Sequence, residues 1–397
     1  MNLTLSLPEL SSFRIMPKKI NATTGARRHF YWLDWLRFIA ALMVVACHAR
    51  GGNWVEWGRL DHACQTKAAY AFFLSTRAGF EWVIVFFVLS GFLVGGKVLE
   101  RAGSRTFDPM AYGLDRVSRI WMPLIPALLL TAAIGGYLGH SISAWGFWGN
   151  LLGLQGVLCS SFGRNYPLWS LAYEIWFYLL AGCSAVAINN DAKNRLAAYL
   201  GVLICVMVFT KLDASFLFCW VLGAISYSQI GVINGKAAVA GCLLTAAGYA
   251  SSQLTSESVS LEKYAFLQFL PSHAVAALIL SAGLALVIPV LSQLQPASKA
   301  MAVFERWGSP LAAFSYTLYL THYPLLDLLG RLFPERHAAM SIASMLWFVG
   351  KIGFCLFVAW VLYLPFERNT SVVRGWLRKR LGEKCRNSRL PVGQIQP

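Results

Sequence analysis

The sequence predicts an all-α integral membrane protein, a helical bundle of about ten transmembrane helices with both termini in the cytoplasm. Hydrophobic residues make up 57% of the 397-residue chain and the mean hydropathy is +0.54, whereas globular proteins are about 45–50% apolar. Apolar runs close to the roughly 20 residues that a bilayer-spanning helix needs recur along the chain. With this topology, 23 of the 34 lysines and arginines fall in cytosolic segments, as the positive-inside rule requires.

The pattern divides the chain into a cytosolic N-terminal tail (1–27), a membrane domain (28–366) and a basic cytosolic C-terminal tail (367–397). The predicted spans are 30–49, 79–98, 120–138, 167–187, 196–210, 214–230, 237–250, 270–291, 310–329 and 343–364.

The formal net charge of +16 follows from this topology and argues against nucleic-acid binding. The cations flank membrane segments, and the C-terminal tail is best placed against anionic membrane lipid. The nine cysteines lie singly and mostly within apolar runs, without the clustering that metal or redox sites require. No metal site is therefore expected. Cys64 and Cys159 could pair in an exterior compartment.

The first predicted span carries ionisable side chains in the stretch LDWLRFIAALMVVACH, residues 33–48. Charged groups within a span are costly and are functional candidates by default. Arg37 and His48 are eleven residues apart, so they lie on nearly the same helical face, about 16 Å apart along the axis. Asp34 and Ala41 fall near that face. The stripe would connect a charged cytosolic end to a histidine deep in the membrane.

Two further phrases allow more than one interpretation. Ser90-Gly91, in FFVLSGFL (86–93), is typical of close helix–helix approach, which small residues permit. Arg116 and Arg119, in RVSRIWMP (116–123), share a helical face. They are either positive-inside anchors or a clamp for phosphate groups, which arginine forks bind bidentately.

Polar side chains also share helical faces in two later spans. Ser170 and Glu174, in LWSLAYEIWFY (168–178), are four residues apart, and a carboxylate at that depth needs a partner. It serves either chemistry or a structural hydrogen bond between helices. Tyr316, Tyr319 and either His322 or Tyr323, in SYTLYLTHYP (315–324), form a polar-aromatic stripe that faces a bundle interior or packs in the core.

Together these phrases resemble the membrane-bound acyltransferase-3 family over residues 31–366. An Arg, ten residues and a His end the family's first span, and the other four phrases follow in the family's order. One departure is Ile84, which stands where relatives often carry an acidic residue, while Glu81 lies three residues earlier. The resemblance implies an O-acyltransferase of the bacterial inner membrane that modifies cell-surface polysaccharides.

The resemblance implies acyl-CoA, acetyl-CoA by default, as donor substrate, with no permanently bound cofactor, and a saccharide or lipid-linked glycan as acceptor. His48 would act as general base or transient acyl carrier, and Glu174 would orient it. Arg37, Arg116 and Arg119 would bind donor phosphates. The remaining substrate-binding candidates are Ser90, Ser170, Tyr316, Tyr319 and His322.

A multi-span transporter or flippase of a sugar or acylated substrate is the alternative, since transporters also hold charges within the membrane. Against it, the chain shows no paired halves with broken spans in corresponding positions. The acceptor, the acyl group, a homo-oligomeric state and whether Met1 or Met16 is the start are left open by the sequence.

Overall fold

α-Helices form most of the computed structural model, which describes residues 29–189, 192–255, 272–294 and 299–387. No β-strand forms in these residues, and their only β-pairing is two isolated bridges. The helices of the described residues are α1 (Tyr31–Gly51), α2 (Lys67–Thr76), α3 (Gly79–Ser90), α4 (Gly96–Gly103), α5 (Pro109–Tyr137), α6 (Ala144–Leu151), α7 (Trp169–Asn189), α8 (Ala192–Phe209), α9 (Ser215–Ser226), α10 (Gly235–Thr255), α11 (His273–Leu291), α12 (Lys299–Ala313), α13 (Ser315–Leu332), α14 (Ile342–Tyr363) and α15 (Thr370–Asn387). The predicted N-terminal tail lies outside the described residues.

Helices long and apolar enough to cross a membrane confirm a multi-pass membrane protein. Within the described ranges there are six such stretches: Tyr31–Gly51, Gly79–Gly103, Pro109–Tyr137, Tyr166–Asn189, His273–Leu291 and Ile342–Leu381. The other four predicted spans coincide in the main with α8, α9, α10 and α13, and their crossing of the membrane stays a prediction.

Two predicted spans differ from the helices that contain them. The third was predicted to begin at residue 120, but α5 begins at Pro109. Asp108 caps it by accepting a hydrogen bond from the Ala111 backbone N–H at 3.0 Å, and proline suits a first turn. The ninth, 310–329, is interrupted because α12 ends at Ala313 and α13 begins at Ser315. No glycine marks that break, so hydropathy alone does not reveal it.

α1 packs against α3, α12, α13 and α14. Its buried residues Phe38, Ala41 and Val45 form a core cluster with Phe314 and Leu318 at the start of α13. Ala41 is 0% exposed, so a small residue is needed there for helix packing. Packing against neighbouring helices therefore accounts for Ala41, which the sequence placed near the stripe from Arg37 to His48.

A π-helical turn, Gly91–Gly95, joins α3 to α4 and contacts α9. A Cβ at Gly91 would lie 2.0 Å from the Trp220 carbonyl oxygen, and one at Gly223 would lie 2.1 Å from that of Val88. Both distances are far inside van der Waals contact. The close-approach interpretation is therefore correct for Gly91.

Candidate functional site

His48 of α1 and His322 of α13 form a direct contact between helices, here called the imidazole pair. His48 Nδ1 lies 3.0 Å from His322 Nε2, and the two rings stack with centroids 5.1 Å apart. His322 is 0% exposed, whereas His48 is half-buried. The sequence placed both residues in the site but did not predict that they touch.

The hydrogen bonds fix which nitrogens carry protons in the neutral pair. His322 Nδ1 lies 2.7 Å from the Tyr319 carbonyl oxygen, which only accepts, so Nδ1 must donate. The Nε2 atom of His322 is then an acceptor, and His48 Nδ1 donates to it. His48 Nε2 is left with a free lone pair, the state that a general base requires.

Tyr319 and Ser170 are hydrogen-bonded to each other beside the imidazole pair. Their hydroxyl oxygens are 2.7 Å apart, and Tyr319 Oη also donates to the Pro167 carbonyl oxygen at 3.1 Å. Both residues are buried. They hold α7 against α13 and so fix the backbone that orients His322. The sequence analysis predicts that both residues bind substrate, whereas their hydrogen bonds in the structure are to other protein groups.

Three arginines, the arginine cluster, lie nearer the start of α1: Arg37, Arg116 and Arg119. Each has a carboxylate partner. Arg37 Nη1 lies 3.4 Å from Asp34 Oδ1, and Arg119 Nη1 lies 3.1 Å from Glu367 Oε1. Asp115 pairs with both Arg116 and Arg374.

The sequence placed Arg37, Arg116 and Arg119 among the residues that bind donor phosphates, and the structure brings two of them together. Arg37 of α1 is within electrostatic range of Arg119 of α5, and both interact with Glu367. Arg116 lies over the Tyr178 ring, 5.0 Å from its centroid. Cations from two helices thus face one region, which suits a polyanionic ligand.

Glu174 interacts electrostatically with Arg37 of the arginine end and with Tyr319 beside the imidazole pair. It accepts a hydrogen bond from Tyr178 Oη at 2.5 Å. Ser90 Oγ donates to that hydroxyl at 3.2 Å, and Trp220 Nε1 donates to Ser90 Oγ at 3.2 Å. A directed chain of donors therefore ends on the Glu174 carboxylate.

The predicted orientation of His48 by Glu174 does not match these contacts. The described hydrogen bonds of His48 are with His322 and with the Val44 backbone, and that of Glu174 is with Tyr178. Depth along the helices was the basis of that prediction, and depth does not determine which faces meet.

Tyr316 has a half-buried side chain whose Oη is buried without a hydrogen-bond partner. Arg119 lies over its ring, 6.0 Å from the centroid. Tyr316 is also within electrostatic range of Glu174 and Glu367. This unpaired hydroxyl at the arginine end keeps Tyr316 a candidate ligand-binding residue.

Sequence reasoning missed Glu367, Tyr178 and Asp115. Glu367 is 3% exposed and accepts hydrogen bonds from the backbone and hydroxyl of Thr317 at 3.2 and 2.7 Å, although it falls in the predicted C-terminal tail. A carboxylate directly after an apolar span was the available signal. Asp115 is adjacent to Arg116, and Tyr178 is four residues after Glu174, so helical spacing could have indicated both.

Glu81 lies outside both groups. It is 5% exposed and accepts hydrogen bonds at 2.7 Å from Ser252 and at 2.7 Å from Gln253 of α10. Ile84, at the position where the resemblance leads one to expect an acid, is fully buried. Glu81 therefore does not substitute for that acid within the site.

No group of three or more His, Cys, Asp or Glu side chains suited to a metal ion occurs among the described residues. Cys64 and Cys159 are both free thiols.

The family model described as an acyltransferase domain, Acyl_transf_3, matches residues 30–364. No curated protein and no solved structure matches the chain. The matched region contains the imidazole pair and all three arginines of the cluster, and ends three residues before Glu367. On that match, the chain belongs to the membrane-bound acyltransferase-3 family.

Proposed function

We propose that the protein is an O-acyltransferase of the bacterial inner membrane that moves an acyl group, acetyl in the first instance, from cytosolic acyl-CoA to a saccharide hydroxyl. The observation that carries this proposal is the imidazole pair. The hydrogen bonds of His322 leave His48 Nε2 unprotonated, within a chain of the acyltransferase family.

The arginine cluster supports the choice of donor. Coenzyme A carries a diphosphate and a 3′-phosphate, and guanidinium groups bind phosphate oxygens through paired hydrogen bonds. The existing carboxylate partners hold the guanidinium groups in place until the donor arrives. The unpaired Tyr316 Oη supplies a neutral donor or acceptor beside them.

The two groups of residues divide the reaction between them. Arg37 and His48 are eleven residues apart on α1, about 16 Å along the axis, a distance that an extended pantetheine arm spans from the phosphates to the thioester. His48 Nε2 takes the proton of the acceptor hydroxyl as its oxygen attacks the thioester carbonyl carbon. The C–S bond breaks, and the proton passes to the departing thiolate. Transfer by way of an acyl-imidazole on His48 requires the same free nitrogen.

Replacing His48 with Ala tests this proposal. Loss of a general base typically costs about 10²- to 10⁴-fold in rate, and alanine is well tolerated within a span. We expect thiol release from acetyl-CoA and acyl transfer to fall together in the purified variant, with unchanged membrane insertion. Near-normal transfer would remove His48 as the base. Substrate movement without acyl chemistry in wild-type vesicles would favour a transporter instead.

A further inference from the structure

The segment 162–168, which precedes α7, is fixed to the bundle by two buried asparagines. Asn150, 0% exposed, accepts a hydrogen bond from the Phe162 backbone N–H at 3.1 Å. Asn165, 1% exposed, donates to Thr131 Oγ1 at 3.2 Å and to the Leu320 carbonyl oxygen at 2.9 Å. The segment is therefore held against α5 and α13.

Two consecutive residues of this segment adopt left-handed backbone conformations. Gly163 has φ 54° and Arg164 has φ 62°. A Cβ at Gly163 would lie 2.8 Å from Thr131 Cγ2, so glycine is required there. A non-glycine residue in this conformation is unfavourable and persists only where its surroundings impose it. Here the turn exposes Arg164 and Tyr166 at the surface.

Aromatic rings lead from this surface to the imidazole pair. The Tyr166 ring, 54% exposed, lies 5.6 Å from the Tyr323 ring at 84°. The Tyr323 ring in turn lies 5.1 Å from the His48 ring at 84°. Tyr323 thus lies between the His48 ring and the exposed Tyr166 ring and contacts both of them.

Polar groups of both signs surround these rings. Tyr323 is within electrostatic range of Arg164 and Asp327. Asp327 Oδ2 lies 3.6 Å from His140 Nε2, while His140 Nδ1 is buried without a hydrogen-bond partner. A guanidinium group offers only donors and a carboxylate only acceptors, so the surroundings complement a ligand that both donates and accepts.

We propose that these five residues, Arg164, Tyr166, Tyr323, Asp327 and His140, form the acceptor subsite and that it takes a pyranose ring. The inference rests on the proposed function and adds the binding surface to it. The C–H groups of a pyranose carry partial positive charge and lie against an aromatic face, whose quadrupole is negative. Its hydroxyls both donate and accept, which matches Arg164 and Asp327. A pyranose stacked on Tyr166 directs a hydroxyl past Tyr323 toward His48 Nε2.

The charges favour a sugar over other acceptors. A phosphorylated acceptor would face the Asp327 carboxylate, and an aliphatic alcohol would leave Arg164 and Asp327 without a role. The reaction at this subsite is the one above. The pyranose O–H proton goes to His48 Nε2, the new ester C–O bond forms, and the C–S bond of the donor breaks.

The test compares Tyr166→Ala with Tyr166→Phe and with Tyr137→Ala. Tyr137, 71% exposed, ends α5 just before His140, and so serves as a matched exposed tyrosine at the same end of the bundle. Full-length protein in lipid nanodiscs receives acetyl-CoA. The acceptor probes are methyl gluco-, galacto- and mannopyranosides and de-O-acylated surface polysaccharide of the host cell. Acetyl-CoA binding, thiol release, acyl transfer to each probe and direct probe binding are measured separately.

We expect Tyr166→Ala to raise the acceptor KM and the probe Kd about tenfold, with the Kd for acetyl-CoA unchanged. Tyr166→Phe, which keeps the ring, and Tyr137→Ala should behave as wild type. A wild-type acceptor KM in Tyr166→Ala, or an equal loss of affinity for acetyl-CoA and for the probe, would overturn the subsite alone. Wild-type thiol release with no transfer to any saccharide probe would overturn the pyranose assignment. Absence of all acyl chemistry in wild type would overturn the proposed function, and this inference with it.

Discussion

At the residue scale, we propose that His322 acts without touching substrate. It is fully buried, so an acyl group or a sugar does not reach it in this structure. Its contribution comes through the Tyr319 carbonyl oxygen, which fixes the proton on its Nδ1 and leaves Nε2 to accept from His48. In our proposal, the hydrogen-bond acceptor atom of His322 sets the tautomer of the catalytic imidazole of His48. In this proposal His322 is a positioning residue, whereas the sequence suggested a substrate-binding residue.

Replacing His322 with Gln or with Leu tests this role. A Gln amide both donates to the Tyr319 carbonyl and accepts from His48 Nδ1, whereas Leu does neither. We expect Gln to retain transfer within roughly tenfold of wild type and Leu to lose roughly 10²- to 10⁴-fold, the range for a general base.

Labelling by diethylpyrocarbonate, which reacts with unprotonated imidazole nitrogen, supplies a readout besides turnover. His48 labelling, mapped by peptide mass spectrometry, should be slower in the Leu variant and preserved in the Gln variant. Equal turnover and equal labelling in the two variants would show that His322 only packs.

The arginine cluster leads to a prediction about donor affinity. Replacing Arg116 with Gln removes a charge-assisted contact worth roughly 1.5–3 kcal/mol, so the KM for acetyl-CoA should rise about 10- to 150-fold with little effect on the acceptor KM. Asp115 keeps Arg374 as a partner in this variant, so the fold should persist. An unchanged donor KM would make Arg116 a topological anchor.

Arg119 requires a different design because its partner Glu367 is buried. Arg119→Gln alone would leave the Glu367 carboxylate with its Thr317 hydrogen bonds but without its ion-pair partner, at a cost of about 1–3 kcal/mol. We expect thermal unfolding to show that loss in the single variant and partial recovery in Arg119→Gln/Glu367→Gln, with a raised donor KM in both. Equal melting temperatures for wild type and the single variant would contradict the pairing.

At the residue scale, the sequence predicts the spacing of side chains within one helix better than the contacts between side chains of different helices. Arg37 and His48 could be placed on one stripe because helical geometry fixes spacing within a helix. The contact between His48 and His322 spans α1 and α13, and that between Arg119 and Glu367 links α5 to the segment before α15. Which helix faces which is decided by packing over the whole bundle, and hydropathy does not encode it.

Among the elements, α3 and α9 show how two small residues set a helix contact. Gly91 and Gly223 each face a carbonyl oxygen of the opposite helix, which brings Trp220 of α9 close enough to donate to Ser90. The same approach places Ser90 beside Tyr178 of α7. The position of the Glu174 donor chain therefore depends on the π-helical turn.

Replacing Gly91 with Ala should disrupt this contact, because the added methyl would lie 2.0 Å from a backbone oxygen. Overpacking of this kind costs typically ~1–3 kcal/mol, and the thermal midpoint of the purified protein should fall. Gly103→Ala is the control, since nothing lies within 4 Å of a Cβ there, and it should be neutral or stabilise by ~0.4–1 kcal/mol. Similar midpoints for the two variants would show that α3 and α9 are not held this closely.

At the scale of the whole molecule, the imidazole pair and the arginine cluster lie at different depths of one bundle. The helices that carry them, α1 and α13, each run from the arginine end toward the imidazole pair. In our proposal the arginine end faces the cytosol, where acyl-CoA is made, and Tyr166 faces the exterior, where the saccharide waits. This assignment of the two ends to cytosol and exterior rests on the positive-inside rule. The number of membrane crossings determines whether both termini are cytoplasmic.

Cysteines introduced at Lys211 and Lys236 test whether α9 crosses the membrane, and so test the number of membrane spans. Lys211 follows α8, and Lys236 is the second residue of α10, with only α9 between them. Both are exposed. If α9 crosses the membrane, as the ten-span prediction requires, the two positions lie on opposite sides. In intact cells, a membrane-impermeant maleimide should label Lys211→Cys and not Lys236→Cys.

The controls use a variant with the native cysteines replaced by Ala or Ser. Permeabilised cells should label both positions, which shows that each thiol is reactive once reached. A C-terminal fluorescent-protein fusion should fluoresce, and a C-terminal alkaline phosphatase fusion should be inactive, if the C-terminus is cytoplasmic. Equal labelling of Lys211→Cys and Lys236→Cys in intact cells would show that α9 does not cross. The bundle would then have fewer than ten spans, and the sidedness assigned to the arginine cluster would have to be derived again from the helices that do cross.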